Sequence, residues 1–138
     1  MVLSGTAEYA LKAVLYLAEH AVDQPVRVGE VAQALRIPQN YLSKILHELT
    51  RAGVLRSSRG KRGGFQLAVR PQKLSLRTVI TRFDDIAERR SCLLGRSQCS
   101  DRHACAVHWR WKALAEQLAA FFAETTVADL LEGVTLPA

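Results

Sequence analysis

The chain has 138 residues, of which 49% are hydrophobic and 23% are charged, and its formal net charge at pH 7 is +6. This composition, with 8 Gly and 4 Pro, excludes collagen-like, disordered and repeat proteins and predicts a compact protein of about one domain. No apolar run approaches the roughly 20 residues that cross a bilayer, and the first residues lack the pattern of a secretion signal. We therefore expect a cytoplasmic protein that does not contact membranes.

The positive charge is confined to the first half of the chain. Residues 1–77 hold 12 Lys and Arg against 5 Asp and Glu, whereas residues 78–138 hold 7 against 8. A basic half joined to a near-neutral half predicts a module that binds a polyanion, followed by a module with a different task. The alternative is a solvated basic surface without a partner.

The first half begins with three predicted helices. Residues 6–21 contain no Gly or Pro and repeat apolar side chains at helical spacing, with Ser4 as the N-cap. A short helix starts at Val28, and a turn at residues 36–38 leads into a helix over Gln39–Arg51. Two short helices joined by such a turn are typical of a helix-turn-helix, whose second helix enters the DNA major groove.

A basic hairpin follows these helices. Residues 54–58 and 65–69 are predicted strands, and the turn between them combines glycines with Arg59, Lys61 and Arg62. The glycine run lacks the Gly-Lys-Ser/Thr of a phosphate-binding loop and joins two strands, which excludes that type of nucleotide site. The predicted fold is mainly α with a small β-hairpin wing, that is, a winged helix-turn-helix, followed by a long dimerisation helix.

The polar side chains of the second helix and of the wing are the candidate DNA contacts. Gln and Asn bond adenine bidentately, Lys donates to guanine and Ser can serve either, while wing cations can reach phosphates or the minor groove. The alternatives are helix capping for the first two residues and a solvated turn for the wing. The candidates are Gln39, Asn40, Ser43, Lys44, Arg59, Lys61 and Arg62.

The second half contains a long helix with an apolar seam. Ser75 is predicted to cap a helix over residues 76–83, and Thr126 a short last helix. Residues 104–123 lack Gly and Pro, and their apolar positions alternate by four and three residues. This heptad spacing predicts a partner helix and hence a homodimer on near-palindromic double-stranded DNA; packing on the chain's own first helix is the alternative. The seam residues are Val107, Trp111, Leu114, Leu118 and Phe121.

All three cysteines lie in or beside a polar segment without helical periodicity, residues 86–104, which we call the cysteine segment. They form the array Cys-x6-Cys-x5-Cys-x2-His over Cys92, Cys99, Cys105 and His108. Thiolates at this spacing in a reducing compartment suit an iron-sulfur cluster or zinc. We expect Cys105 and His108 to share one face of the long helix near its start, with Ser100 or Asp101 as the cap of that helix. No catalytic constellation is present, so we expect no enzyme.

These features together resemble the Rrf-two (Rrf2) family of winged-helix regulators. The resemblance is carried by residues 8–11, by the Tyr41 and Leu42 pair, by the wing over residues 59–65 and by the cysteine segment, and it covers nearly the whole chain. It implies a homodimer crossed through the long helix. It also implies a 2Fe-2S or 4Fe-4S cluster in each subunit that senses redox state, nitric oxide or iron-sulfur status and thereby governs DNA affinity.

The resemblance also implies which residues hold the cluster. By matching position, Cys92, Cys99 and Cys105 are the thiolate ligands. His108 matches the histidine ligand of IscR-like members, whereas Glu8 occupies the place of the aspartate that NsrR-like members contribute from the other subunit. The six residues between the first two cysteines are more than the family usually shows. The fourth ligand therefore stays open between Glu8 and His108.

The function expected from the sequence is a cluster-controlled DNA-binding transcriptional regulator, specifically a repressor. Residues 1–77 would form the winged helix-turn-helix, and residues 78–138 the cluster-binding segment and dimerisation helix. Two alternatives remain: a regulator stabilised by zinc, which Cys3His also suits, and an iron-sulfur electron-transfer protein whose basic half steers an acidic partner.

Overall fold

The computed structural model describes residues 2–86, 93–94 and 100–132. Within these ranges the chain is mostly helical with one antiparallel hairpin, as predicted. The helices are α1 (Gly5–His20), α2 (Val28–Leu35), α3 (Gln39–Arg51), α4 (Leu76–Ile80), α5 (His108–Glu124) and α6 (Val127–Leu131). The strands are β1 (Leu55–Ser58) and β2 (Gly64–Leu67), and 3-10 helices lie at Pro71–Lys73 and Asp101–His103.

Helix α1 is the central element of the core. Its predicted cap is confirmed, because the Ser4 hydroxyl oxygen accepts a hydrogen bond from the Ala7 N–H at 3.1 Å. Ala7, Ala10 and Ala13 are fully buried, and side chains this small let neighbouring helices approach closely. Helices α3 and α4 both pack against α1, so α1 joins the helix-turn-helix to the second half of the chain.

The helix-turn-helix forms where the sequence predicts it. Arg36 ends α2 in the left-handed conformation with φ of 56°, and Pro38 precedes α3. Helix α3 has the predicted bounds and buries its apolar face, and Gly53 follows it with φ of 80°. The four buried residues of that face are Leu42, Ile45, Leu46 and Leu49.

The wing is a short hairpin whose second strand is fixed, next to the turn, to the segment before α2. Its strands are shorter than predicted and pair with Leu55 opposite Leu67. Val26 extends the sheet, because its N–H donates to the Phe65 carbonyl at 3.1 Å and its carbonyl accepts from the Phe65 N–H at 2.8 Å. Gly64 lies so close to Val26 that a Cβ would come within 2.5 Å of its backbone. Only glycine fits there.

The second half differs from the prediction in two helix boundaries. Helix α4 ends at Ile80 rather than near residue 83, and the Phe83 N–H then bonds the Ile80 carbonyl three residues earlier, which is a tighter turn than an α-helix makes. Helix α5 begins at His108, so its predicted start at residue 104 is wrong. The physical reason is the extended backbone of Ala104, with ψ of 131°, which separates α5 from the 3-10 helix before it.

The last helix and α4 are joined through backbone hydrogen bonds. The Leu76 N–H donates to the Thr125 carbonyl at 2.9 Å, and the Val127 N–H donates to the Leu74 carbonyl at 2.8 Å. The predicted Thr126 cap is confirmed as a capping box with Asp129. In the part of the chain that is described, no helix is both long and apolar enough to span a bilayer.

Candidate nucleic-acid interface and cysteine segment

The polar face of α3 is open to solvent. Gln39, Asn40 and Lys44 are exposed and Ser43 is half-buried. The N-cap of α3 is Pro38 and receives no side-chain hydrogen bond, so the alternative that the first two residues serve as the cap is not seen. Their amide groups are thus left at the end of the helix that a helix-turn-helix presents to base edges.

The Gln39 side chain lies against the start of α2. A Cβ placed on Gly29 would stand 3.4 Å from Gln39 Oε1. This distance is ordinary contact, so the Gln39 amide lies beside the first turn of α2.

The three wing cations surround a glycine turn at the tip of the hairpin. Arg59, Lys61 and Arg62 are all exposed. The turn closes through a hydrogen bond from the Gly63 N–H to the Gly60 carbonyl at 3.0 Å, and Gly60 has φ of 98°. The hairpin thus carries the cations away from the core, where a polyanion could meet them.

Arg27 contacts this turn, and sequence reasoning did not single it out. Its Nη2 donates to the Lys61 carbonyl at 2.7 Å and to the Gly60 carbonyl at 3.3 Å. No local pattern marks such a contact, because the partners are 33 and 34 residues away in the chain.

Tyr41, on α3, also makes contacts that the sequence did not predict. It is 40% exposed, its hydroxyl is hydrogen-bonded to the Thr6 hydroxyl, and its ring meets Tyr9 edge to face at 5.7 Å. The one available signal was its place outside the apolar face of α3. These contacts join the first turn of α3 to the first turns of α1.

The described part of the cysteine segment ends at α5. Cys92 and Cys99 lie outside the described residues, and Cys105 is half-buried. The prediction that Cys105 and His108 share one face of the helix is wrong, because the cysteine precedes α5 and its carbonyl accepts from the His108 N–H at 3.1 Å. Within the described ranges, no group of three His, Cys, Asp or Glu side chains could hold a metal ion.

The buried His108 side chain is hydrogen-bonded to an exposed carboxylate. The side chain is 3% exposed, and its Nε2 lies 2.7 Å from Asp101 Oδ1. Lys112 Nζ also donates to Asp101, at 3.0 Å to Oδ2. The hydrogen bond from His108, followed by that from Lys112, lowers the pKa of Asp101 below its usual value. An ionised carboxylate only accepts, so His108 Nε2 carries the hydrogen of this bond.

The predicted caps for α5 have other roles. The Ser100 hydroxyl accepts from the Arg102 N–H at 3.1 Å and so caps the 3-10 helix at Asp101–His103. Asp101 is the partner of His108 described above and does not cap α5, whose N-cap is Val107 without a side-chain hydrogen bond. Both predictions of an α5 cap are therefore wrong.

Glu8 stands in the first turn of α1 and is half-buried. The start of this helix is tied to the segment that leads towards the cysteines. The Ser4 N–H donates to Asp84 Oδ2 at 2.6 Å, and the Ser4 hydroxyl donates to the Phe83 carbonyl at 3.0 Å. The structure therefore brings the helix that carries Glu8 next to the entry of the cysteine segment.

The apolar seam of α5 is only partly covered. Leu118 packs against the core, whereas Leu114 is 49% exposed and Phe121 is 53% exposed. The residue of α5 that enters the core is Phe122, at 5% exposure, and α5 packs mainly on α4. The seam thus presents a stripe of large apolar side chains to solvent.

Comparison with known proteins places this architecture in a family. Residues 3–133 match the Rrf2 family, described as iron-dependent transcriptional regulators. A protein of Aquifex aeolicus (strain VF5) named as an HTH-type transcriptional regulator is 41% identical over 133 residues, which cover 95% of this chain and 92% of that protein. The HTH-type transcriptional regulator IscR of Vibrio atlanticus (strain LGP32) is 28% identical over 96% of this chain and 76% of its own length.

Solved structures show the same fold. CymR, the global cysteine regulator of B. subtilis, superposes with a TM-score of 0.81 at 21% identity, covering 96% of this chain and 98% of that one. T. potens IscR superposes with a TM-score of 0.76 at 20% identity, covering 98% and 93%. These regulators are not enzymes, in agreement with the expectation from the sequence. The chain belongs to the Rrf2 family of winged-helix transcriptional regulators.

Proposed function

We propose that this regulator controls its affinity for operator DNA through an iron-sulfur cluster, of the 2Fe-2S or 4Fe-4S type. The proposed ligands are three thiolates and one further donor: Cys92, Cys99, Cys105 and either His108 or Glu8. Such a cluster would supply a site at which nitric oxide, oxygen or a reductant can act. We further propose that the protein is a repressor.

The observation that carries this proposal is the hydrogen bond between the buried His108 side chain and the exposed Asp101 carboxylate, near Cys105. A histidine that binds a metal commonly donates its other ring N–H to a carboxylate, which fixes its tautomer and orientation. Asp101 accepts from Nε2 and so orients the imidazole in this way. The donor set of soft thiolates and imidazole fits an iron-sulfur cluster.

The same contacts favour His108 over Glu8 as the fourth ligand within one subunit. His108 is three residues from a thiol and is already oriented by Asp101. Glu8 lies on α1, whose start contacts Phe83 and Asp84. The family resemblance implies that a carboxylate ligand at this position would come from the second subunit.

Contacts between the two halves offer a route from the cysteine segment to DNA. Asp84 Oδ1 accepts from the Ile86 N–H at 2.9 Å while its Oδ2 accepts from Ser4, so one carboxylate joins this segment to α1. Helix α1 in turn contacts the first turn of α3 through Thr6 and Tyr41. A change in the segment after residue 86 can therefore shift the helix that reads DNA.

A direct contact between the halves supports the same route. Arg82 Nη1 lies 3.4 Å from Glu48 Oε2 and so joins the turn after α4 to α3. Both side chains are substantially exposed, and such pairs contribute at most about 1 kcal/mol. This pair therefore adds to the Asp84 contact rather than replacing it.

The DNA-binding part of the proposal assigns residues 1–77 to DNA and residues 78–138 to sensing and dimerisation. The proposed DNA contacts are Gln39, Asn40, Ser43, Lys44, Arg59, Lys61 and Arg62. We propose a homodimer formed through the exposed seam of α5, because two-fold symmetry would let two copies of α3 read a near-palindromic operator.

Metal analysis of the protein purified without oxygen tests the cofactor. We expect a brown protein with visible absorption and equimolar iron and acid-labile sulfide. The same thiols and histidine also suit structural zinc. A colourless protein with stoichiometric zinc would replace the cluster by a zinc site, while the DNA-binding part of the proposal would stand.

A further inference from the structure

Arg27 connects the two DNA-facing elements of the winged helix-turn-helix. Its carbonyl accepts from the Glu30 N–H at 3.1 Å and from the Val31 N–H at 3.2 Å, so its backbone starts α2. Its guanidinium reaches the wing tip (residues 59–63), where Nη2 donates to the Gly60 and Lys61 carbonyls. Arg27 thus connects the start of the helix-turn-helix to the tip of the hairpin.

The wing tip needs such an anchor. Its turn contains Gly60 and Gly63, and glycine loses more conformational freedom on ordering than any other residue. Val26 holds the start of β2 beside the turn, through its pair of hydrogen bonds to Phe65, whereas the Gly60 and Lys61 carbonyls within the turn accept from Arg27.

We propose that Arg27 is a positioning residue for DNA binding: it holds the wing tip in the conformation that presents Arg59, Lys61 and Arg62 to the DNA backbone. The proposal rests on the DNA-binding role proposed above for the wing. A tip that is ordered before binding loses less conformational entropy when it meets DNA, so its cations bind more tightly without any new contact.

A double-mutant cycle separates positioning from direct phosphate contact. The probe is a fluorescein-labelled duplex selected from a random-sequence pool by the wild-type protein, and affinity is measured by anisotropy at several salt concentrations. Arg27→Ala and Arg27→Lys are compared in the wild-type protein and in a background with Arg59→Ala, Lys61→Ala and Arg62→Ala. Arg70→Ala is the matched control, because Arg70 is exposed and follows the end of β2 that is remote from the tip.

We expect Arg27→Ala to weaken binding by about 3- to 10-fold with the native wing and by less than about 2-fold without its cations. Arg27→Lys should resemble Arg27→Ala, because an ammonium keeps the charge but not the planar guanidinium. Amide hydrogen exchange at Gly63 should be faster in Arg27→Ala, with the melting temperature nearly unchanged.

Three results would overturn the proposal. If Arg27→Ala lowers DNA affinity equally in both backgrounds, or if Arg27→Lys keeps the wild-type affinity, Arg27 contacts a DNA phosphate directly instead. Wild-type affinity in Arg27→Ala would remove it from DNA binding altogether. A wild-type protein that selects no duplex would contradict the proposed DNA interface itself, which is distinguishable from a failure confined to Arg27.

Discussion

Asp84 accepts a hydrogen bond from the backbone N–H of Ser4 at 2.6 Å, across 80 residues of sequence. The same carboxylate accepts from the Ile86 N–H at 2.9 Å. Ser4 is also the cap of α1, so this carboxylate joins α1 to the beginning of the segment that carries the cysteines.

Asp84→Ala should destabilise the fold by about 1–3 kcal/mol, because it leaves two backbone N–H groups without their charged acceptor. Urea unfolding followed by circular dichroism measures this loss. Asp23→Ala, at an exposed position in the turn after α1, is the control and should stay within about 0.5 kcal/mol of the wild type. Equal stability of Asp84→Ala and Asp23→Ala would show that the contact does not hold the halves together.

Charges placed on the seam of α5 should prevent dimerisation. Leu114→Glu combined with Phe121→Glu buries two carboxylates at the proposed interface, and light scattering after size exclusion should report a monomer. Ala123→Glu adds a charge at an exposed position on the other side of α5 and should leave the dimer intact. A dimer that survives the double substitution would place the interface elsewhere.

The fourth ligand can be identified by comparing two substitutions. His108→Ala should lower the iron content or shift the visible spectrum of the anaerobic protein, because it removes the imidazole that Asp101 orients. Glu8→Ala should leave both unchanged, and Cys105→Ser, which removes a proposed thiolate, serves as the reference for loss. The reverse order, with Glu8→Ala more damaging, would favour a carboxylate from the partner subunit.

Tyr16 should make the fold sensitive to alkali. Burial raises the pKa of Tyr16 above 10.0, and the negative charge of Glu30 and a hydrogen bond to it act in the same direction. The folded state therefore holds the phenol proton more tightly than the unfolded state, and this stability is present below about pH 10 and lost as the pH rises through the folded pKa.

Urea midpoints of the wild type and Tyr16→Phe at about pH 9 and about pH 11 test this linkage. The difference between the two proteins isolates Tyr16 from the lysines, which titrate in the same range. We expect the wild type to lose more stability than Tyr16→Phe between these two values. Equal losses of stability in the two proteins would mean that the Tyr16 phenol has the same pKa in the folded and unfolded states.

Local signals in the sequence were sufficient for most of the helices. The bounds of α3 and the caps Ser4, Ser75 and Thr126 are determined by residues within one helical turn, and the structure has them as predicted. The start of α5 was misplaced because the absence of Gly and Pro does not define where a helix begins. Extended backbone at Ala104 ends the preceding turn first.

The contacts that connect the functional parts were not predictable in the same way. Asp84 and Ser4 are 80 residues apart, Tyr41 and Thr6 are 35 apart, and Arg27 reaches carbonyls 33 and 34 residues later. Such pairs depend on how α1, α3 and the wing pack, and exposed polar side chains carry no periodic signal. The sequence therefore indicated which residues carry charge and thiols, but not how they are positioned.

The DNA affinities of the cluster-containing and cluster-free protein, measured on one selected duplex at matched salt, test the central claim most directly. Wild-type protein purified without oxygen is divided, and one portion is treated with nitric oxide or a chelator until its visible absorption is lost. We predict that the two portions differ in affinity by at least about 5-fold, the lower end of typical allosteric coupling. Equal affinities would contradict control of DNA binding by a cluster.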